Sequence, residues 1–448
     1  QTTPNRSLQS PLLMAAPQSH QTGGCCHPGC TTSRPCVVHG SQHHQPSTRW
    51  WVPEAPWTRR AFSSQNKEAR KWLADQFRAA GLDVYNDAAS NLIGRRGGEG
   101  DQVFMMGSHS DTVIEGGRYD GIVGVLGALE IARCLQDSDI ELSLPLEIVD
   151  FTCEEPTVPI SPVGSRIIAG DITQKDLEGV NTPFGETIHK AIDDLGGDSS
   201  NISKAKRALG QIAGYLELHI EQGAVLEKEE LAAGIVTAIA GPCRGTVQFI
   251  GQPEHAGATP MPDRKDALVA AAELVIAIEK IVTTTGMSEE NVGTVGWMNV
   301  SPNMINVVPG QVDMSVEVRS TDLESLVLVR KSLEEEVEKI SEKRKIESKL
   351  TWDHLEDPVP LPLFMQDVVK SAFTDLSIPI KYLPSRASHD AARIAPITPA
   401  GMVFIRCLEG KSHCPEEWTS MDDIVLGTRL LGQSLLRLNE NFLKNKKG

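Results

Sequence analysis

From Gln65 onward the apolar positions change period in a regular order along the chain. In residues 66–82, Ala69, Trp72, Leu73, Phe77 and Leu82 recur at helical spacing and Gly81 closes the run, which predicts an amphipathic helix. Residues 84–96 read as short strands around a turn, and residues 102–113 as an apolar strand that breaks abruptly into small and polar residues. Residues 121–135 predict a closely packed helix whose glycines permit close approach at some cost in propensity. Residues 143–156 form a second apolar strand, with Glu154 and Glu155 just past its end. Strand, helix, strand, with polar groups where the strands stop, is the order of a mostly parallel α/β sheet carrying its site at the carboxyl edge. Residues 215–223 add a strand in which Leu216, Leu218 and Ile220 alternate with Glu217, His219 and Glu221.

The pattern then changes. Residues 232–255 read as consecutive strands, 266–282 as a long amphipathic helix, 291–300 and 311–320 as strands, and 323–345 as a charged helix. Two helices with about four strands make a compact α+β insert, expected over residues 238–352, whose strand edges suit dimerisation. After it the first style returns, with a helix in 365–373, a strand in 399–407 and an N-capped terminal helix in 419–439. The expected architecture is a catalytic domain over 61–237 and 353–448, interrupted by the insert as a lid. Residues 1–60 stand apart: Gly, Pro, Ser, His and Cys without a period predict a disordered or atypical extension. Its Cys25, Cys26, Cys30, Cys36 and His39 do not keep a clean zinc-finger spacing.

Composition narrows the partners. Among 448 residues, 59 acidic side chains outweigh 43 basic ones for a net charge of −16, which repels phosphate backbones and argues against nucleic acid. No apolar run reaches the roughly 18 residues of a membrane helix, so no membrane partner is expected. The length exceeds what one hydrophobic core usually serves, in keeping with two domains. Nine scattered cysteines form no disulfide framework and favour a reducing compartment. The cytoplasm is the expectation, with the endoplasmic reticulum or another organelle the alternative for a plant-like source. The sequence opens at Gln1 without an apolar signal core, which leaves a targeting segment upstream open.

The candidate chemistry clusters at the strand ends. His109 and Asp111 follow one strand and Asp120 follows a glycine-rich turn, a set that suits a borderline divalent metal. A polar turn held by Asp and Gly is the plain alternative. Asp111 is placed to hold the second ring nitrogen of His109. Glu154 and Glu155 repel one another unless a proton or a cation relieves them, so one suits a metal and the other a proton shuttle. Solvated loop acids are the alternative for this pair. His219 and His413 also lie at the ends or polar faces of predicted strands, where a lone histidine is usually structural. Chain physics offers these as candidates and does not select a ligand set.

The segments GSHSDTVIEGGRYDG, FTCEEP, GSRIIAG, ELHIEQG, HAGATPM, NVVPG, SHDA and SHCPEEW occur in this order between residues 107 and 418. In that order and spacing the chain resembles the M20-type metal-dependent amidohydrolases, in the branch of N-carbamoyl-L-amino-acid, allantoate and ureidoglycolate amidohydrolases. The resemblance implies two divalent ions bridged by Asp120, with His109 and His219 completing one site and Glu155 and His413 the other. It implies Glu154 as general base and His255 as the donor that stabilises the oxyanion, in related dimers supplied by the partner subunit. Arg319 matches the residue that grips the substrate carboxylate, a task suited to a guanidinium fork. Gln222 and Asn306 match amides that orient the ureido group, and His389 matches a further pocket residue whose ring Asp390 could steady.

The resemblance implies manganese first, while imidazoles and carboxylates also accept zinc, cobalt or nickel. It implies a homodimer acting on a small ureido-carboxylate. The stretch PSRASHDA, residues 384–391, resembles the ureidoglycolate enzymes of plants, whereas INVVPGQ and HAGATPM resemble the carbamoylases more closely. Ureidoglycolate is therefore the expected substrate, with N-carbamoyl-L-amino acids or allantoate the alternative. Arg386 is a candidate specificity residue, or else one half of a surface salt bridge. A reading of a different class is an inactive metal-binding interaction protein on the same fold.

Overall fold

The computed structural model describes residues 57–97, 100–284 and 290–445. Residues 1–56 of the expected extension, with their Cys/His-rich stretch, lie outside the described residues. The chain opens with α1 (Ser64–Ala79), β1 (Asp83–Asn86), β2 (Leu92–Arg96), β3 (Val103–His109), α2 (Ile122–Asp137) and β4 (Leu146–Phe151). Short helices α3 (Gly164–Ala169) and α4 (Ile188–Asp194) precede β5 (Ile212–Ile220), α5 (Val225–Lys228) and β6 (Ala233–Ile239). A second group follows: β7 (Gly241–Ile250), β8 (Glu254–His255), α6 (Ala267–Val282), β9 (Val292–Thr294) and β10 (Met298–Ser301). It continues with β11 (Val307–Val308), β12 (Gln311–Ser320), α7 (Leu323–Arg344) and β13 (Glu347–Leu355). The chain ends with β14 (Val359–Pro360), α8 (Leu363–Asp375), β15 (Tyr382–Ser385), α9 (Asp390–Ile394), β16 (Ala400–Ile405) and α10 (Met421–Asn445).

Local chemistry sets these boundaries. Ser63 caps α1 by accepting from the Asn66 amide, and Asp266 caps α6 by accepting from Leu268 and Val269. At α10, Ser420 Oγ accepts from the Asp423 amide at 3.0 Å and donates to the Asp423 carboxylate at 2.8 Å. That contact fixes the start of the terminal helix as the sequence expects. No helix among the described residues is long and apolar enough to cross a membrane.

The larger sheet runs β1-β2-β4-β3-β5-β16-β6-β14, with β15 also paired to β6. Its centre, β4-β3-β5-β16, is parallel, while β1, β2, β14 and the β16–β6 pair are antiparallel. The sheet is therefore mixed: parallel where the site lies, with antiparallel pairs towards both edges and a parallel β15–β6 pair beside β14. Helices α1, α2, α8 and α10 cover one face around Leu73, Phe77, Phe104, Leu218 and Leu435. Helices α3, α5 and α9 cover the other, around Phe151, Tyr215 and Phe404. Residues such as Phe77 and Phe104 are fully buried, and truncating one to alanine in such a core costs about 3–5 kcal/mol.

The smaller sheet, β10-β12-β7-β13 with β9 on β12, is antiparallel throughout. In β12 the even positions Val312, Met314, Val316 and Val318 are buried against α6 and α7, which leaves Asp313, Ser315, Glu317 and Arg319 on the opposite face. The residues expected as one strand in 291–300 form two short strands, β9 and β10. A separate ribbon pairs β8 with β11 and sets His255 opposite Val307. A buried ion pair ties α1 to the larger sheet beneath its carboxyl edge: Arg70 Nε lies 3.1 Å from Asp150 Oδ2, which also accepts from Ser110 Oγ at 3.1 Å.

Candidate metal centre

The four central strands of the larger sheet end side by side, and each end delivers a polar group. His109 closes β3, Glu154 and Glu155 follow β4, His219 is the penultimate residue of β5, and His413 lies in the loop after β16. Asp120 precedes α2, whose N-cap Gly121 has φ +66°; a Cβ there would meet the His109 ring at 2.4 Å. Only glycine lets the chain turn so tightly beneath that imidazole.

Two donor triads share one carboxylate. His109, Asp120 and His219 form one, and Asp120, Glu155 and His413 form the other, with the donor atoms of each within 4.8 Å of one another. Asp120 Oδ1 lies 3.1 Å from His219 Nε2, and Oδ2 lies 3.0 Å from His413 Nε2. His413 Nε2 is in turn 3.3 Å from Glu155 Oε1. A further group joins Glu217 and His389 to His219.

The ring hydrogens are oriented for ligation. His109 Nδ1 bonds the backbone carbonyl of Asp111 at 3.0 Å, and His219 Nδ1 bonds the carbonyl of Ile220 at 2.9 Å. Since a carbonyl can only accept, each Nδ1 carries the proton and each Nε2 turns a lone pair inward. His219 Nε2 also accepts from the Gly121 amide at 3.2 Å. Asp120 Oδ1 is buried without a hydrogen bond, so it and His219 Nε2 set lone pair against lone pair. A cation belongs between them, and the donor set fits a borderline divalent metal.

The electrostatics agree. Burial opposes ionisation of Asp120, yet the surrounding imidazoles of His219, His413 and His109, when they carry positive charge, hold its carboxyl well below the usual carboxylate range. Burial alone would lower His109, but Asp111, Asp120 and Glu155 push it up to about 9. Hydrogen bonds to Asp120 and Glu155 push His413 up to about 11. Burial, then the neighbouring Glu155, Asp390, Asp111 and Asp120, drives Glu154 well above the normal range. That carboxyl, 3.7 Å from His109 Nε2, is suited to hold a proton.

Several expected contacts differ in detail. The backbone carbonyl of Asp111, not its carboxylate, holds the His109 ring; Asp111 Oδ1 and Oδ2 instead accept from the Glu154 and Glu155 amides at 3.2 and 3.1 Å. The His389 ring pairs with Ser385 Oγ at 2.8 Å rather than with Asp390, and stacks edge-on to His219 at 4.4 Å. Gln222 reaches the centre itself, donating from Nε2 to Asp120 Oδ2 at 3.0 Å. The polar residues of β5 do not face solvent, for Glu217 and His219 are as buried as the leucines between them.

Arg319 lies on the free face of β12, with Nε 2.7 Å from Glu317 Oε1 and Nη1 3.0 Å from the Arg386 carbonyl. Arg386 pairs with Glu290. His255 and Asn306 are exposed on the β8–β11 ribbon, and the hydrogen bonds of His255 stay within it. His255 Nδ1 accepts from the Gly257 and Ala258 amides at 3.0 and 3.1 Å, which leaves Nε2–H as an outward donor. Sequence reasoning overlooked Glu417, a 1% exposed acid whose carboxylate accepts from the Tyr119 and Asp120 amides. Its one signal is an acidic residue four positions beyond His413.

Comparison with known proteins agrees with this geometry. The profile of peptidase family M20/M25/M40 matches residues 105–437. The chain is 37% identical over 393 residues to an N-carbamoyl-L-amino acid amidohydrolase of Geobacillus stearothermophilus, covering 86% of this chain and 94% of the relative. It is 38% identical over 402 residues to the ureidoglycolate hydrolase of Arabidopsis thaliana, covering 87% of this chain and 83% of that one. The crystal structure of AtUAH in complex with glyoxylate superimposes with a TM-score of 0.74 at 36% identity, over 87% of this chain and 94% of that one.

The raised histidines set a pH dependence. Without metal, imidazoles titrating near 9 and 11 carry protons at neutral pH, and a divalent ion must displace them. Affinity therefore rises with pH by about tenfold per unit for each proton displaced, the His109 contribution ending near pH 9 and that of His413 near pH 11. Competition with a chromophoric chelator at pH 6, 7 and 8 should show the apparent Kd for Mn2+ falling at each step. A Kd flat across that range would show that no protonated imidazole is displaced on metal binding.

Proposed function

The chain belongs to peptidase family M20/M25/M40 and is a metal-dependent amidohydrolase, and on that premise we propose that it hydrolyses the ureido group of ureidoglycolate. The observation that carries the amidohydrolase chemistry is the pair of donor triads sharing Asp120. Two divalent ions held there, manganese first among them, would acidify a water and polarise the ureido carbonyl. The residues proposed to hold them are His109, Asp120 and His219 on one side and Asp120, Glu155 and His413 on the other.

Glu154 is the general base. Burial and the acids around it raise its pKa, and bound cations would offset them, leaving a carboxylate able to take the proton of the attacking water and pass it to the departing nitrogen. Water adds to the ureido carbon, the terminal C–N bond breaks and ammonia leaves. The remaining carbamate loses carbon dioxide to give hydroxyglycine, whose C–N bond then breaks to expel a second ammonia and leave glyoxylate. A ureido carbon is a poor electrophile because two nitrogens donate into it, so donors aimed at the developing oxyanion matter, and the Nε2–H of His255 is of the right kind. Gln222 and Asn306 orient the ureido group, and His389 lines the pocket.

Arg319 grips the substrate carboxylate. The hydrogen-bond partners around it support a compact polar acid: Glu317, itself joined to Arg244, and the Arg386 backbone, whose guanidinium pairs with Glu290. The ureidoglycolate hydrolase relative supports the same choice. Hydrolysis of N-carbamoyl-L-amino acids is a second reading, supported by a relative of nearly equal identity. A homodimer is supported by the outer face of α6, where Leu268, Val275 and Ile276 are exposed at helical spacing. It would let the exposed His255 and Asn306 serve the partner's site.

Metal-loaded protein should release ammonia from ureidoglycolate faster than from allantoate or any N-carbamoyl-L-amino acid. Faster turnover of a carbamoyl amino acid would overturn the substrate choice. E154A should keep its metal and lose turnover by about two to four orders of magnitude; near-normal turnover would remove Glu154 as the base. Light scattering should give twice the chain mass, and I276D should lower it towards one chain. A wild-type protein of single-chain mass would end the dimer proposal.

A further inference from the structure

We infer that Glu417 is a positioning residue that fixes Asp120 relative to His413 and so secures one half of the metal centre. This rests on the reading that the two triads hold two ions. Glu417 Oε1 accepts from the Tyr119 amide at 2.7 Å and the Asp120 amide at 3.1 Å, while Oε2 accepts from Ser412 Oγ at 2.8 Å. One carboxylate thus joins the turn that carries Asp120 to the loop that carries His413, nearly 300 residues later. The fit is specific: a Cβ on Gly117 would fall 2.0 Å from the Glu417 carboxyl carbon. The next residue, Trp418, stacks edge-on with Tyr119 at 5.7 Å, and Arg118 lies between Trp418 and Trp57 at 5.7 and 5.3 Å.

The hydroxyl of Ser412 sharpens the role. It lies 3.2 Å from Asp120 Oδ2 but has a single hydrogen, and the closer Glu417 carboxylate takes it. Asp120 Oδ2 is then left to Gln222 and His413. The two halves of the centre are not equally supported. His219 sits on β5, held by strand pairing to β3 and β16. His413 sits on an irregular loop at φ +56°, its side chain 48% exposed. Loss of Glu417 therefore loosens the His413 side and spares the His219 side.

The test is a manganese titration of metal-stripped wild type and E417Q, read by chelator competition and elemental analysis. An amide keeps the shape but offers one acceptor oxygen for two edges. Wild type should take up two ions per chain. E417Q should bind the first almost unchanged and the second about tenfold to a hundredfold more weakly. Its kcat should fall at limiting manganese and recover at high manganese, with KM for substrate unaltered. S412A, which removes one bond of the three, should give the same split in milder form and carries the test should E417Q not fold. Equal affinities in wild type and variants overturn the inference alone, as does a parallel loss of both ions that tracks a lower Tm. A single ion in wild type overturns the two-ion reading, and the inference with it.

Discussion

A buried carboxylate caught between two imidazoles governs this structure. Asp120 is 3% exposed, and removing a lone carboxylate from water costs several kcal/mol unless positive charge meets it. Here positive charge arrives at Nε2 of His219 and His413, on either side of the group, with His109 close by. Asp111, Glu154, Glu155, Glu217 and Asp390 crowd the same region, so one positive charge does not balance the field. Protons on the histidines balance part of it, and divalent ions balance more. The excess of buried acid makes the centre a trap for cations before any reaction is considered.

The surrounding architecture serves to hold that arrangement rigid. The parallel strands bring His109 and His219 to one edge with their backbones fixed by pairing, and Glu155 follows just beyond β4 with its amide held by Asp111. What lies beyond the strands is irregular and is held by polar contacts. Cys153, Gln222 and His413 all adopt left-handed backbone, which costs of order 1–3 kcal/mol each and persists where the surroundings enforce it. The Asp111 carboxylate enforces it beside Cys153 by binding the next two amides, and Gln222 is tied to Asp120 itself. Some of the fold's backbone strain thus sits where ligands leave the sheet.

Much of this was legible in the chain. Strong apolar runs in 102–113 and 143–156, each ending in acids or histidine, marked both the strands and the edge that carries the centre. Other features could not be read. Alternation in β5 has the period of a half-exposed strand, yet both of its faces are covered, and the polar face is the floor of the site. Period alone cannot tell water from a buried polar cluster. The nearness of Asp111 to His109 was legible, but not that its backbone would take the ring nitrogen and its side chain the Glu154 and Glu155 amides. Glu417 and the Arg70–Asp150 pair act across long sequence separations, and no local pattern announces them.

Under the proposed function, substrate choice depends on the second sheet. Arg319 belongs to β12, on the face turned away from α6 and α7, and reaches the other unit through the Arg386 carbonyl. Under the proposed function, an acid held there would be gripped on the smaller sheet and cleaved at the edge of the larger one. Ureidoglycolate and a carbamoyl amino acid differ at the carbon beside the carboxylate, which bears a hydroxyl in one and a side chain in the other. An apolar pocket discriminates poorly against an added hydroxyl, whereas polar groups left unpaired by an apolar side chain penalise it sharply. The proposed grip is surrounded by the ion pairs Arg244–Glu317, Arg319–Glu317 and Arg386–Glu290, a polar setting that supports the hydroxyl-bearing acid. An isobutyl group placed among them would strip water from charges without replacing it, and a hydroxyl would not.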